Sequence, residues 1–234
     1  WDMLNLYAAN VTANLNDLYF INAVEGVIVG DKATIVKTID GGQTFTAASY
    51  PGSAADDIIT AITHDGSNYY ITVIRKPAPA AEPFAVIYSS ADGIAWTQQS
   101  NIKASDITKV SYYSADRGFA AGIDGQLMEI NHSNGMYTAL PTGITGKFID
   151  FYFIDKIAVP GAQDADSGIA IIETAANVRG LYKTFNKGKS WTLMSQPGEV
   201  FNSLYAYLDN SYGAKVVAAG ENGLIARVIM QYDT

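Results

Sequence analysis

The stretch Thr38-Ile39-Asp40-Gly41-Gly42-Gln43-Thr44-Phe45 reads hydroxyl-x-Asp-x-Gly-x-hydroxyl-aromatic. It limits the fold more than any other feature because it returns. Thr184-Phe185-Asn186-Lys187-Gly188-Lys189-Ser190-Trp191 repeats it with Asn for Asp. Ser90-Ala91-Asp92-Gly93-Ile94-Ala95-Trp96 is one residue shorter and lacks the second hydroxyl, and Ser133-Asn134-Gly135-Met136-Tyr137 is a worn copy. Each residue type has a physical use in a hairpin. The glycines tolerate positive φ. The Asp or Asn side chain accepts hydrogen bonds from its own turn. The first hydroxyl can bond across the hairpin, and the closing aromatic buries a large apolar area between neighbouring sheets.

The copies start at 38, 90, 133 and 184, about 43 to 52 residues apart. Propeller repeats run roughly 40 to 50 residues. A second signature, Gly-x-x-small-x-Ile/Leu, precedes the octet at Gly30–Ile35 and recurs at Gly122–Leu127 and Gly220–Ile225. Each copy follows an apolar strand, and an aromatic-bearing strand such as Leu18-Tyr19-Phe20 lies further upstream. One unit therefore reads strand, turn, strand, glycine turn, strand, octet, strand. The sequence predicts an all-β chain forming a single β-propeller domain of five four-stranded blades, near 15–49, 57–100, 106–140, 146–195 and 200–234. The last unit has no octet after it, so residues 1–7 are expected to supply its outer strand and hide an open edge. Units two and four are expected to carry longer central connections, Arg75 to Pro83 and Glu173 to Gly180. The most helix-like window, Asp56 to Thr63, is rich in Ile and Thr and favours strand.

At these residues the sequence resembles the Asp-box (BNR) repeat family, and the unit Gly26–Phe45 looks most like its Ycf48-like branch. The resemblance implies a β-propeller with one blade per unit. It also implies that Thr38, Asp40, Gly42, Phe45, Ser90, Asp92, Trp96, Thr184, Asn186, Gly188 and Trp191 are structural octet residues on an outer rim, away from any ligand. Glycosidase members of the family use an arginine triad, a Tyr–Glu pair and an acid/base Asp. This chain has four arginines, Arg75, Arg117, Arg179 and Arg227, and no Phe/Tyr-Arg-Ile-Pro segment.

Composition narrows the partners. The net charge is −8 and no Lys/Arg run exceeds two residues, so nucleic acid and anionic membrane are not expected. No apolar run approaches the roughly 20 residues of a transmembrane helix. There is no cysteine, which excludes disulfides and zinc–thiolate sites. The sequence points to no cofactor and no metal. Asp164-Ala165-Asp166-Ser167-Gly168 resembles the start of a calcium loop but has Ala175 where the bidentate Glu belongs. The first residue is Trp1, and a processed N-terminus is expected, with a secreted, periplasmic or particle-associated protein.

Arg75, Arg117 and Arg179 fall near strand ends in different units, so loops of successive blades could gather them on an anion. Tyr70 and Tyr112 stand in Tyr-Tyr pairs, of which one ring could line a binding face. The leading expectation is a non-enzymatic recognition or assembly module that binds a protein or glycan on one face, with an oligomer or larger assembly allowed. The alternatives are a sialidase- or glycoside-hydrolase-like enzyme, with Asp150, Asp155 and Asp116 as candidate carboxylates, and a structural component of a viral particle or filament. His64 and His132 sit beside turns, with nothing in the sequence to pair them.

Overall fold

The computed structural model describes residues 11–75, 84–102, 107–112, 117–131, 136–154, 167–175, 178–195, 198–209 and 213–230. The chain divides into two compact units, Trp1–Ala115 and Asp116–Thr234. In the first unit β1 (Leu15–Phe20), β2 (Gly26–Gly30), β3 (Ile35–Thr38) and β4 (Thr46–Ala48) form one sheet in that order. β5 (Ile58–His64), β6 (Tyr69–Arg75), β7 (Phe84–Ser90) and β8 (Thr97–Ile102) form the next. β9 (Ile107–Tyr112) ends the unit. The Ile/Thr-rich window after Asp56 is thus strand, because β-branched side chains pack well on a pleated surface.

In the second unit β10 (Arg117–Gly122), β11 (Leu127–Asn131) and β12 (Met136–Ala139) lie side by side in one sheet. The fourth sheet runs β13 (Lys147–Ile154), β14 (Ser167–Ala175), β15 (Val178–Thr184), β16 (Thr192–Leu193). The fifth runs β17 (Phe201–Asp209), β18 (Gly213–Gly220), β19 (Ile225–Met230), with three strands among the described residues. The strand expected from residues 1–7 lies outside those residues, as do the loop 76–83, His132, Asp116, Asp155, Asp164 to Asp166 and most of the worn octet at 133–137. One expectation changes. No long connection separates Glu173 from Gly180, because β14 and β15 continue to Ala175 and Val178. Glu173 and Arg179 are cross-strand partners in that hairpin.

Each unit has its own apolar core. Val27, Ile59, Ile71 and Val86 are fully buried together in the first, with Tyr69, Tyr88 and Trp96. Ile169, Ile171 and Val216 anchor the second, with Phe201 and Leu204.

The octets close their turns internally. Gly42 N–H donates to Thr38 Oγ1 at 2.8 Å, and that hydroxyl donates to Asp40 Oδ1 at 2.9 Å. Thr44 donates to the same carboxylate through its backbone N–H (2.9 Å) and its hydroxyl (2.6 Å). The later copy matches: Gly188 N–H to Thr184 Oγ1 at 3.0 Å and Ser190 N–H to Asn186 Oδ1 at 2.9 Å. There the amide donates to the hydroxyl, Asn186 Nδ2 to Ser190 Oγ at 2.8 Å. In the short copy Asp92 Oδ1 accepts from both Ile94 and Ala95 N–H at 2.9 Å. The first hydroxyl therefore bonds inside the turn and not across the hairpin, because the tight loop brings its backbone N–H groups within reach. The turn also lies on the preceding blade. A Cβ added to Gly93 would stand 2.7 Å from Val27 Cγ2, and one added to Gly188 would stand 2.3 Å from Leu127 Cδ2.

A second blade-to-blade link was not read from the sequence. Asp17, on the first strand of blade one, accepts from Ile62 N–H of blade two at 3.0 Å. Asp150, on the first strand of blade four, accepts from Leu204 N–H of blade five at 2.7 Å. Each also accepts from its own next residue at 2.9 Å. Asp150 is 4% exposed, and both its oxygens are engaged in the protein. It is a structural clip, not a catalytic carboxylate.

Candidate functional site

A groove in the second unit originates in how blade four ends. β15 has seven residues but β16 only two, paired as Tyr182↔Leu193 and Lys183↔Thr192. One further ladder bond forms, from Met194 N–H to Leu181 C=O at 2.8 Å. Its reciprocal does not: Leu181 N–H donates instead to the Ser195 hydroxyl at 3.0 Å. A side chain that satisfies a backbone donor replaces the next ladder bond and ends the strand.

The space beside that ending is a cavity of about 390 Å³, a size common for small-ligand or peptide sites. Val178, Leu193 and Val200 give it apolar walls, and Tyr182, Arg179 and Glu199 add polar groups. Val178 is 61% and Leu193 52% exposed, so two large apolar side chains stand in water on its rim. The lining also includes Gly180, where an added Cβ would meet Leu193 Cδ1 at 2.7 Å and Tyr182 Cε2 at 2.8 Å. Only a residue without a side chain fits beneath those two groups.

Arg179 is held in place within the groove. Its Nε donates to Glu173 Oε2 at 2.8 Å, and its Nη1 donates to Asn202 Oδ1. Its charge is therefore compensated by the carboxylate on the paired strand. A fixed, compensated guanidinium orients neighbours more than it attracts anions.

The other arginines are engaged in the same way. Arg75 Nη2 donates to the Gly52 carbonyl at 2.8 Å, and Nε lies 3.4 Å from Asp57 Oδ2. Its guanidinium covers the Tyr50 and Tyr88 rings at 5.6 and 5.7 Å. Tyr50 OH donates to Asp57 at 2.7 Å, and burial, with that bond, pushes its phenol well above the usual range. Arg117 pairs with Glu129 on the adjacent strand at 3.3 Å. Each arginine singled out by the sequence thus has a carboxylate partner nearby, a pairing that spacing along the chain does not reveal. Tyr70 and Tyr112 are brought together, their rings stacked 4.1 Å apart. Both are buried (6% and 7% exposed), and Tyr70 OH donates to Asp65 at 2.7 Å. Their rings pack against each other between neighbouring strands β6 and β9.

His64 lies between Tyr19 (5.9 Å, stacked) and Tyr69 (4.7 Å, edge-on). Its Nδ1 accepts from Gly66 N–H at 3.0 Å, and burial lowers its pKa. Among the described residues no cluster of three or more His, Cys, Asp or Glu could hold a metal ion, and no helix is long and apolar enough to cross a membrane. The groove itself was missed by sequence reasoning, which looked at residue types and not at where β16 stops.

No protein-family model matches the sequence, and no curated protein matches it. Solved structures do. A structure of YCF48 bound to D1 peptide is similar with a TM-score of 0.63 at 16% identity, over 92% of this chain and 63% of that one. The WD40 β-propeller domain of Doa1 is similar at 0.54 and 10%, over 94% and 66%. An ancestral GH74 enzyme is similar at 0.66 and 11%, over 96% of this chain and 32% of that one. The chain spans under two thirds of the length of the YCF48 chain and about a third of the GH74 chain. At these identities the likeness shows the fold alone: an all-β propeller of five blades.

Proposed function

We propose that the chain is a non-enzymatic recognition or assembly module whose blade-four groove binds a segment of a partner protein. One observation carries the reading: the apolar, half-open groove at the end of β16, rimmed by exposed Val178 and Leu193. Exposed large apolar groups around a concavity mark interaction sites more often than chance. A structural neighbour, YCF48, has been solved with a peptide bound, which supports the class of ligand. A glycoside-active enzyme has a GH74 neighbour in its favour. However, it needs paired carboxylates about 5 to 9.5 Å apart, and Asp150 is bound up in the clip to Leu204.

The test is selection of linear peptides by display on the folded chain, repeated on a Val178→Lys/Leu193→Lys variant. Apolar-rich peptides should be enriched on the natural chain and bind the variant about tenfold or more weakly, as loss of about 1.4 kcal/mol of contact implies. No enrichment, or turnover of model β-glucans by the natural chain, would overturn the reading.

A further inference from the structure

We propose that His64 is a pH-sensitive latch between blades one and two: as a neutral imidazole it holds the tip of a blade-two hairpin in place, and on protonation it lets that tip go. The latch is separate from the groove and belongs to the first unit alone.

The hydrogen bond fixes where the proton is. Gly66 N–H only donates, so the His64 Nδ1 that accepts it at 3.0 Å carries no proton, and the proton of the neutral ring sits on Nε2. A second proton goes to Nδ1. It sets a donor against a donor and ends the Gly66 bond. The ring is also half-buried. Tyr19 of β1 stacks on it, and Tyr69, its cross-strand partner on β6, meets it edge-on. An imidazolium in that position loses water that the two phenol rings exclude.

Burial lowers the His64 pKa below its ordinary 6.5, while Asp65 and then Glu25 pull the other way. Neither carboxylate is free to serve the cation. Asp65 Oδ1 accepts from Ser67 and Asn68 N–H at 2.8 Å, and its Oδ2 from Tyr70 OH at 2.7 Å. Glu25 Oε1 is paired with Lys37 Nζ at 2.7 Å. A base whose folded pKa is depressed lends stability that is fully present above the unfolded value. That stability is lost as pH falls through the folded one. The latch therefore opens on the acid side of pH 6.5.

What opens is small. Gly66 and Ser67 are exposed at the tip, and such segments open without the sheet behind them. The strands stay joined. Asp17 of β1 accepts from Ile62 N–H of β5 at 3.0 Å, and Asn16 Nδ2 donates to the Ile59 carbonyl at 3.0 Å. Protonation loosens the tip while blade one remains docked on blade two.

Ring-nitrogen NMR on the natural chain should show His64 as the Nε2–H tautomer at neutral pH, titrating with a midpoint below 6.5. The Gly66 amide resonance should move with the same midpoint. Its protection from exchange, relative to an open chain, should fall about threefold or more across it, the scale of one lost hydrogen bond. His64→Phe keeps an aromatic ring between the two tyrosines and removes the acceptor, so its Gly66 amide should be unprotected at every pH. If that variant does not fold, the titration of the natural chain still decides. A midpoint at or above 6.5, a proton on Nδ1 at neutral pH, or a Gly66 amide indifferent to the His64 midpoint overturns the proposal. So does the same pH-dependent loss of protection in His64→Phe.

Discussion

Blades two and four differ at one edge. Their third strands, β7 and β15, each have seven residues. Six residues of β8 cover β7 from Ala85 to Ser89, whereas among the described residues β16 pairs with β15 at Tyr182 and Lys183, with one further bond from Met194 N–H to Leu181 C=O. Among the described residues the fourth strand therefore pairs with more of the third in blade two than in blade four. The difference comes from local chemistry: after Leu193 a serine hydroxyl takes the N–H that the next residue's carbonyl would have accepted. A second contrast lies in the turns. The blade-one octet is held by the carboxylate Asp40 and the blade-four octet by the amide Asn186.

The largest effect should come from the clips between blades, which both units share. Asp150→Ala leaves the Leu204 and Phe151 N–H groups without their acceptor in a buried site. It should cost about 2 to 3 kcal/mol of unfolding free energy, the scale for stranding buried donors. Asp17→Ala removes the same pair of bonds at a partly exposed site, and about half that loss is expected. Chemical denaturation of both variants checks the order. Equal losses would show that burial does not distinguish the units.

A smaller effect, of opposite sign, concerns turn geometry. Lys187 has φ 60° where the corresponding Gly41 has φ 75°. An L side chain in that region costs roughly 1 to 2 kcal/mol. Lys187→Gly should therefore stabilise the chain, by about 1 kcal/mol or less once the entropy of the added glycine is counted. Gly41→Lys should destabilise it. A loss on Lys187→Gly would mean that this lysine makes contacts outweighing its backbone strain.

Much of this architecture is visible in the residues themselves. Octets at 38, 90 and 184 mark turns because hydroxyl, Asp or Asn and glycine are each required by the hydrogen bonds of a closed loop. The clip could also have been found. Asp17-Leu18-Tyr19-Phe20 and Asp150-Phe151-Tyr152-Phe153 place the same acid before the same apolar and aromatic pattern at the head of a blade. The groove could not. It depends on where β16 ends and on one side chain-to-backbone bond at Ser195, neither of which composition or spacing encodes. The partners of the arginines were not legible for a related reason. Asp57, Glu129 and Glu173 reach them through the local fold, which spacing along the chain does not encode.

The smallest effect should divide the two octets by pH. Hydrogen bonds from the Thr44 hydroxyl and backbone hold the Asp40 pKa at about 2, below its ordinary value of 3.8. A carboxylate whose folded pKa is depressed adds stability that is fully present above the unfolded pKa. That stability falls away as pH drops through the folded value. The blade-one turn should therefore weaken between about pH 4 and pH 2, while the Asn186 turn, with no proton to gain, should not. Asp92, lowered in the same direction by the Ala95 and Ile94 amides, adds to the overall acid sensitivity and must be held constant. The measurement is the difference in unfolding free energy between the natural chain and Asp40→Asn, taken across that interval. Asp40→Asn should lose less on acidification than the natural chain, and Asn186→Asp should lose more. Parallel pH curves for all three chains would show that the carboxylate and the amide hold their turns equally well at every pH, and that the chemical contrast between the octets has no energetic consequence.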